Sequence, residues 1–504
     1  MVKSAGGAAR SVAALALTCL AWFAFVPGQR AAAGSAATLS AADLVGSWVA
    51  VASHGGETSP VALRLEAVGG EVLARWSVPA IHLWELPVGK VVVHGNQVEV
   101  GPLALVYDGA AGTLTGTLPA AVVPVYEMPV TFRRALLERP PRPEPAAPVA
   151  SPVWTFDAGA PVWADLASAG GVLYVAGDDG RLHALAARTG RPLWSFRATG
   201  AIRARPTLAG GDVFVHADDG FLYRLNAATG EQRWRVRVEP AVQRLPPGRA
   251  GSKYDDWASA ATLASGRLYL GTDDGHVLAL DPANGSRLWA FAAGDSIVST
   301  PVVDSGRLYF GSFDGRVYAL DAASGSLIWQ HAMGAAVTST PALHEGRVIV
   351  GSRSYDLLAL DGASGKPVWT VYYWFSWVES SATIFGGAAY IGSSDAAKLF
   401  AFDARTGRRL WEIDAGGSAW GQPAVTGSRV FIGTVGTQNY LVPHRATILA
   451  VDRVTGRPGW RYPVAAPPAA SAEVTAYGFA ASPALGEGLV YFASLDGRVY
   501  AFAQ

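Results

Sequence analysis

Two short stretches combine flat rings with carboxylates. The first is Lys253-Tyr254-Asp255-Asp256-Trp257, and the second is Tyr372-Tyr373-Trp374-Phe375-Ser376-Trp377-Val378-Glu379. Rings beside acidic groups suit a sugar or another flat polar ligand. Two carboxylates facing one substrate are also what glycoside cleavage needs, and Glu379 would pair with Asp255 or Asp256 for that role. The counterparts of the second stretch elsewhere in the chain are small, Ala292-Ala293-Gly294 and Ala332-Met333-Gly334. Arg203, Trp420, Gln422 and Tyr477 occupy comparable positions. The expected ligand-binding set is therefore Arg203, Tyr254, Asp255, Asp256, Trp257, Tyr373, Trp374, Trp377, Glu379, Trp420, Gln422 and Tyr477. The competing reading is that these loops pack on one another or on the N-terminal region, since burial explains most aromatic side chains.

Other chemistry finds little support in the residues. The nine histidines are scattered without ligand spacing. No Gly-x-Ser-x-Gly elbow or phosphate-binding loop occurs. Asp-Gly turns such as Asp178-Asp179-Gly180 and Asp218-Asp219-Gly220 read as turn chemistry rather than calcium sites, because further oxygen ligands are missing. Forty basic and forty acidic residues balance to zero formal charge. With no basic tract, nucleic acid is not an expected partner.

The elements that must carry these residues are set by a repeat. Its cleanest copy is Ala319-Leu320-Asp321-Ala322-Ala323-Ser324-Gly325-Ser326-Leu327-Ile328-Trp329. The closing tryptophans are Trp194, Trp234, Trp289, Trp329, Trp369, Trp411 and Trp460, and Trp154 precedes them in a similar context. A basic step of 40 residues marks a unit that cannot bury its apolar face alone. Each unit reads as four short antiparallel strands separated by Gly turns, which is one propeller blade. Asp321 and its equivalents should cap the turn after the third strand, and Gly325 and its equivalents should take positive φ there. The tryptophans should fill the seams between blades. The chain ends without a last Trp strand, and Val153-Trp154-Thr155-Phe156 supplies one. The expectation is an all-β, eight-bladed β-propeller over residues 152–504, closed by the N- and C-terminal strands.

The signature Ala-x-Asp-x-x-Thr-Gly-x-x-x-Trp resembles the tryptophan-docking motif of the PQQ-like propeller repeat family. That family includes quinoprotein alcohol dehydrogenases and the BamB-like subunits of outer-membrane protein assembly. The BamB-like branch implies an exported binding or scaffold protein with an envelope protein partner and no cofactor. The quinoprotein branch implies an alcohol or sugar dehydrogenase with PQQ and calcium. It usually carries a disulfide of adjacent cysteines, whereas the sole cysteine here is Cys19. The scaffold reading is the preferred one, and a glycan-binding or glycan-cleaving propeller is the third.

Residues 1–33 read as a secretory signal. Lys3 and Arg10 precede an apolar core, and Ala31-Ala32-Ala33 offers a cleavage site. The mature chain would be periplasmic or extracellular, without a transmembrane span, and monomeric. Residues 38–136 alternate as strands between Gly turns. Gly46-Ser47-Trp48 ahead of a meander is similar to a small calycin-like barrel or sandwich, which would hold a small ligand or pack on the propeller. Residues 137–151 form a Pro-rich, extended linker.

Overall fold

The computed structural model describes residues 39–118, 127–142, 146–242, 257–438, 440, 442, 444–468 and 475–504. The expected signal, residues 1–33, lies outside them. The chain divides into two units, Met1–Arg142 and Pro143–Gln504.

The first unit is a closed barrel of eight antiparallel strands in sequential order. The first strand, Gly46–His54, also pairs with the last, Met128–Arg134, through Trp48↔Arg134 and Val49↔Arg133. Alternation places Trp48, Ala50, Ala52, Leu63, Leu65, Ala74, Trp76 and Phe132 inside, all buried. Eight strands enclose a space that side chains can fill, and these do so. Trp48 donates its indole N–H to the Leu44 carbonyl at 2.8 Å. The Arg134 guanidinium lies 4.5 Å over the same ring and donates to the carbonyls of Asp43 and Val45. The Gly-x-Trp signal therefore marks a closing point of the barrel.

The second unit holds eight four-stranded sheets. Blade 1 spans 167–197, blade 2 207–237, blade 3 262–292 and blade 4 302–332. Blade 5 spans 342–372, blade 6 383–414 and blade 7 424–463. Blade 8 takes three strands from 484–503 and its outermost strand from Trp154–Asp157. The register Ala501↔Trp154 through Arg498↔Asp157 joins the ends of the ring. Just before that strand, Val149 bridges Arg461 in parallel on the outer edge of blade 7. The end of the linker thus adds to a sheet rather than acting only as a spacer.

Docking between blades follows one geometry. The indole N–H groups of Trp154, Trp194 and Trp234 donate to the carbonyls of Ala187, Ala227 and Pro282 in the next blade. Trp329, Trp369 and Trp411 do the same to Gly362, Ala404 and Arg453. Each bond spans 3.0–3.2 Å. Under the rings sits a glycine at positive φ. A methyl group on Gly325 or Gly365 would stand 2.6 Å from Trp289 or Trp329. The turn is capped as expected, because Asp321 Oδ1 accepts from the Ser324 N–H at 2.8 Å and Asp452 Oδ1 from the Thr455 N–H at 2.8 Å. Trp460 departs from the pattern. Blade 8 takes its fourth strand from Trp154–Asp157 and so has no turn between its third and fourth strands, and Trp460 packs on Phe502 and Phe431 instead.

Around the axis, hydroxyls stitch the innermost strands. Thr300 Oγ1 accepts from the Ala260 N–H, Thr340 Oγ1 from Thr300, Ser381 Oγ from Thr340 and Ser482 Oγ from Gln422. The Ser482 N–H in turn donates to Asp165 Oδ1. The long insertion of blade 7 does more than extend a hairpin, for Val435–Gln438 pairs with Thr475–Gly478 as a separate two-stranded ribbon.

Trp289 carries the one docking indole whose N–H is buried with no partner among the described residues, while the Tyr269 hydroxyl alone donates to the Ala322 carbonyl. Replacing Trp by Phe removes the donor and retains most of the ring. Trp329→Phe should cost about 1 kcal/mol of unfolding free energy, while Trp289→Phe should cost less or stabilise. Denaturant unfolding of the two variants beside wild type measures the contrast.

Candidate functional site

In each antiparallel blade, the hairpin between the second and third strands opens at one end of the ring. The connection to the next blade opens at that same end. Nearly all of the expected site residues lie on these loops. At the axis there is a cavity of about 70 Å³, room for several waters. Asp165, Arg203, Arg205, Trp257, Thr338, Glu379, Trp420 and Gln422 contribute to its lining, together with the hydroxyls of Thr300, Thr340, Ser381 and Ser482. Of the expected set, the fold therefore brings together Arg203, Trp257, Glu379, Trp420 and Gln422. Tyr254, Asp255 and Asp256 lie outside the described residues.

Three indoles meet at this mouth. Trp257 contacts Trp163 at 5.6 Å between centroids and Trp420 at 5.7 Å, with interplanar angles of 90° and 88°. They precede blades 1, 3 and 7. Blades 3 and 7 are opposite in a ring of eight, so the Trp257–Trp420 contact crosses the axis. Trp163 is not among the expected residues. It has no periodic counterpart in the plain blades, and the available signal is only its place four residues ahead of an innermost strand, as for Trp420. Trp420 is fixed by its indole N–H to Ser394 Oγ at 3.1 Å, and the Gln422 side-chain amide donates to the Ala382 carbonyl.

The charges are largely matched in place. Arg203 donates to both carboxylate oxygens of Asp178 at 2.9 and 3.0 Å and lies 3.8 Å from Asp218. Arg353 grips Glu379 at 2.9 and 2.7 Å, with both side chains almost buried. The same guanidinium lies 4.6 Å over Trp377 and 5.3 Å over Phe313. Glu379, expected as half of an acid/base pair, is thus half of an ion pair, and Trp377 is the ring under its partner.

Tyr373 and Trp374, expected at the mouth, are core residues, 4% and 9% exposed. Tyr373 packs on Phe400 and Phe402 of blade 6, and Trp374 on Tyr372 and Phe375. The reason is a local exchange of backbone freedom for burial. Blade 5 puts Tyr355 (φ 72°) and Phe375 (φ 57°) into left-handed turns, and the two rings meet at 6.4 Å. The aromatic stretch buries itself to hold these turns. Tyr477 lies on the ribbon with its ring across Gly436, where any side chain would collide with it, and not in the cavity lining.

Two further titratable clusters lie near the mouth. Asp395, on the hairpin of blade 6, accepts the Tyr440 hydroxyl at 2.7 Å. Burial pushes the Asp395 carboxyl up to about 6, the Tyr440 bond opposes this, and the Glu379 charge adds to it. The Asp395 charge, then burial, holds the Tyr440 hydroxyl well above its ordinary range. His216 and Glu239 form a buried pair at 2.8 Å. Burial disfavours the His216 charge, but the bond to Glu239 and its charge raise the imidazole above its ordinary value. No group of three or more His, Cys, Asp or Glu side chains able to hold a metal occurs among the described residues.

Removing one partner of the Arg353–Glu379 pair leaves an uncompensated buried charge. Arg353→Ala should lower unfolding free energy by about 3–5 kcal/mol, whereas Arg203→Ala, whose pairs are more exposed, should cost less; thermal unfolding reads both. For Asp395 the folded value lies above the ordinary 3.8, so the folded chain holds its proton longer than the unfolded chain. That term favours folding most below 3.8 and is lost as pH rises towards 6. Asp395→Asn should therefore gain stability relative to wild type across that window, with a flat difference above it. Melting curves from pH 4 to 8 test this.

The family described as "Outer membrane protein assembly factor BamB" matches residues 149–316 and 313–504. Among curated proteins none matches the chain. The structure is similar to BamB from Moraxella catarrhalis, with TM-score 0.54 and 18% identity over 71% of this chain and 100% of that one. It is also similar to quinohemoprotein alcohol dehydrogenase from Comamonas testosteroni, with TM-score 0.52 and 15% identity over 70% and 76%. The computationally designed Ika8 protein gives TM-score 0.55 and 15% identity over 69% and 98%. At such identities the likeness shows the fold alone. The repeats, the docking tryptophans and the match across the whole propeller place this chain in the BamB family of PQQ-like repeat propellers.

Proposed function

We propose that this chain is a non-enzymatic binding protein of the cell envelope that serves as a scaffold in the assembly of outer-membrane proteins. The observation that carries the reading is the state of the mouth charges. Arg203 is engaged by Asp178 and Asp218, and Glu379 by Arg353. Groups held by one another position loops; they are not poised to take or give a proton. The family's name supports the assembly role, and residues 1–33 support export as a secretory signal. No helix among the described residues is long and apolar enough to cross a membrane. The blade loops would present the surface that a partner meets.

The lining residues do not fit a calcium-bound quinone. A cavity of about 70 Å³ is too small for a tricyclic acid. The carboxylate of Glu379 is turned to Arg353, and Asp165 accepts from the Ser482 N–H. Glu379 is thereby held away from a metal beside such a ring, which leaves Asp165 as the single carboxylate of the described lining.

Calorimetry of residues 34–504 against the soluble domains of the host's outer-membrane assembly protein should give saturable binding near micromolar Kd, about −8 kcal/mol. A parallel titration with PQQ in calcium buffer should give no heat and no dye reduction with alcohols or aldoses. Turnover in the second experiment, or no binding in the first, overturns the reading.

A further inference from the structure

We propose that the channel mouth binds a neutral pyranose ring of a glycan, seated on the Trp163–Trp257–Trp420 cluster with Arg205 and Asp165 on its hydroxyls. This stands apart from the assembly role, which concerns the outer loops and a protein partner. Either can fail without the other.

The rings come first. At angles of 90° and 88° the three indoles build corners rather than a stack. In each such contact, the ring presenting its edge keeps both of its faces out of that contact. All three rings are only half-buried. An indole face that is apolar, rigid and partly wet matches the C–H face of a sugar.

The polar groups come second. Arg205 lines the cavity, is exposed, and makes no hydrogen bond or ion pair among the described residues. Thr338 lines the same cavity, and its hydroxyl is buried without a partner there. A buried hydroxyl with no partner costs free energy that a ligand or water can return. Asp165 is oriented by the Ser482 N–H. Arginine and carboxylate are planar two-point groups, which suit vicinal hydroxyls.

Charge then selects among ligands. Glu379 is paired with Arg353, and Arg203 stands between Asp178 and Asp218. Among the described lining residues Arg205 and Asp165 remain, with opposite charges. A net-charged ligand gains little from that balance, whereas a polyol uses both groups. The cavity of about 70 Å³ beneath the rings admits a hydroxymethyl arm or bridging waters, but not a ring. The sugar ring therefore rests on the mouth and points one arm into the axis.

The test is a tryptophan-fluorescence titration of residues 34–504 with maltotriose, cellotriose and chitotriose, beside trigalacturonate and a proline decapeptide. At least one neutral trisaccharide should saturate with Kd of about 1 mM or tighter, roughly −4 kcal/mol. Trp420→Ala and Arg205→Ala should each weaken it about tenfold, near 1.4 kcal/mol. Arg205 is exposed, so that variant keeps the fold even if Trp420→Ala does not. The proposal is overturned if no neutral trisaccharide binds below about 10 mM, or if Arg205→Ala binds as wild type does. Preference for trigalacturonate or the peptide also overturns it.

Discussion

Everything in the propeller depends on an indole lying on a glycine of the next blade. The ring supplies apolar area, its N–H reaches a carbonyl of the same turn, and the glycine leaves room for both. The contact is directional, because each blade docks forward onto its successor. A chain built this way must close or leave an apolar face bare. Trp154–Asp157 closes it by pairing with Arg498–Ala503. The ring is thus held by many equivalent seams and by one sheet made from both ends of the propeller.

With the frame held at its seams, the inner ends of the blades are free to differ. The hydroxyl stitching is regular where blades are plain, as at Thr300 and Thr340. Irregular loops then superimpose a mouth on that ring. Arg203 and Arg353 anchor two of those loops to neighbouring hairpins, and Trp257 crosses to Trp420. Paired charges and crossed indoles make a surface that is pre-shaped.

Blade 5 shows how one exception propagates. Glycine normally serves the tight turns at this end, but Tyr355 and Phe375 occupy two of them at positive φ. Their strain is offset by burial of Tyr372, Tyr373 and Trp374. The packed cluster stands beside Trp377 and Glu379, which clasp Arg353. Residues that read as a ligand floor in the sequence thus became a support for an ion pair.

The period of the tryptophans, the Asp caps and the glycines was enough to read eight blades and their closure. These are local features with a fixed spacing, and spacing survives in one dimension. Gly46-Ser47-Trp48 likewise marked a small β unit, though barrel rather than sandwich was settled by the pairing of Gly46–His54 with Met128–Arg134. The mouth was legible only in part. Arg203, Trp257, Glu379, Trp420 and Gln422 were found because loop position predicts which end a residue faces. Trp163, Arg205, Asp165 and Asp395 were missed, because their meaning comes from neighbours far away in the chain. Whether an aromatic faces solvent or core, and whether a carboxylate meets a cation or a substrate, is decided by contacts across the ring. Those contacts exist only once the blades have closed.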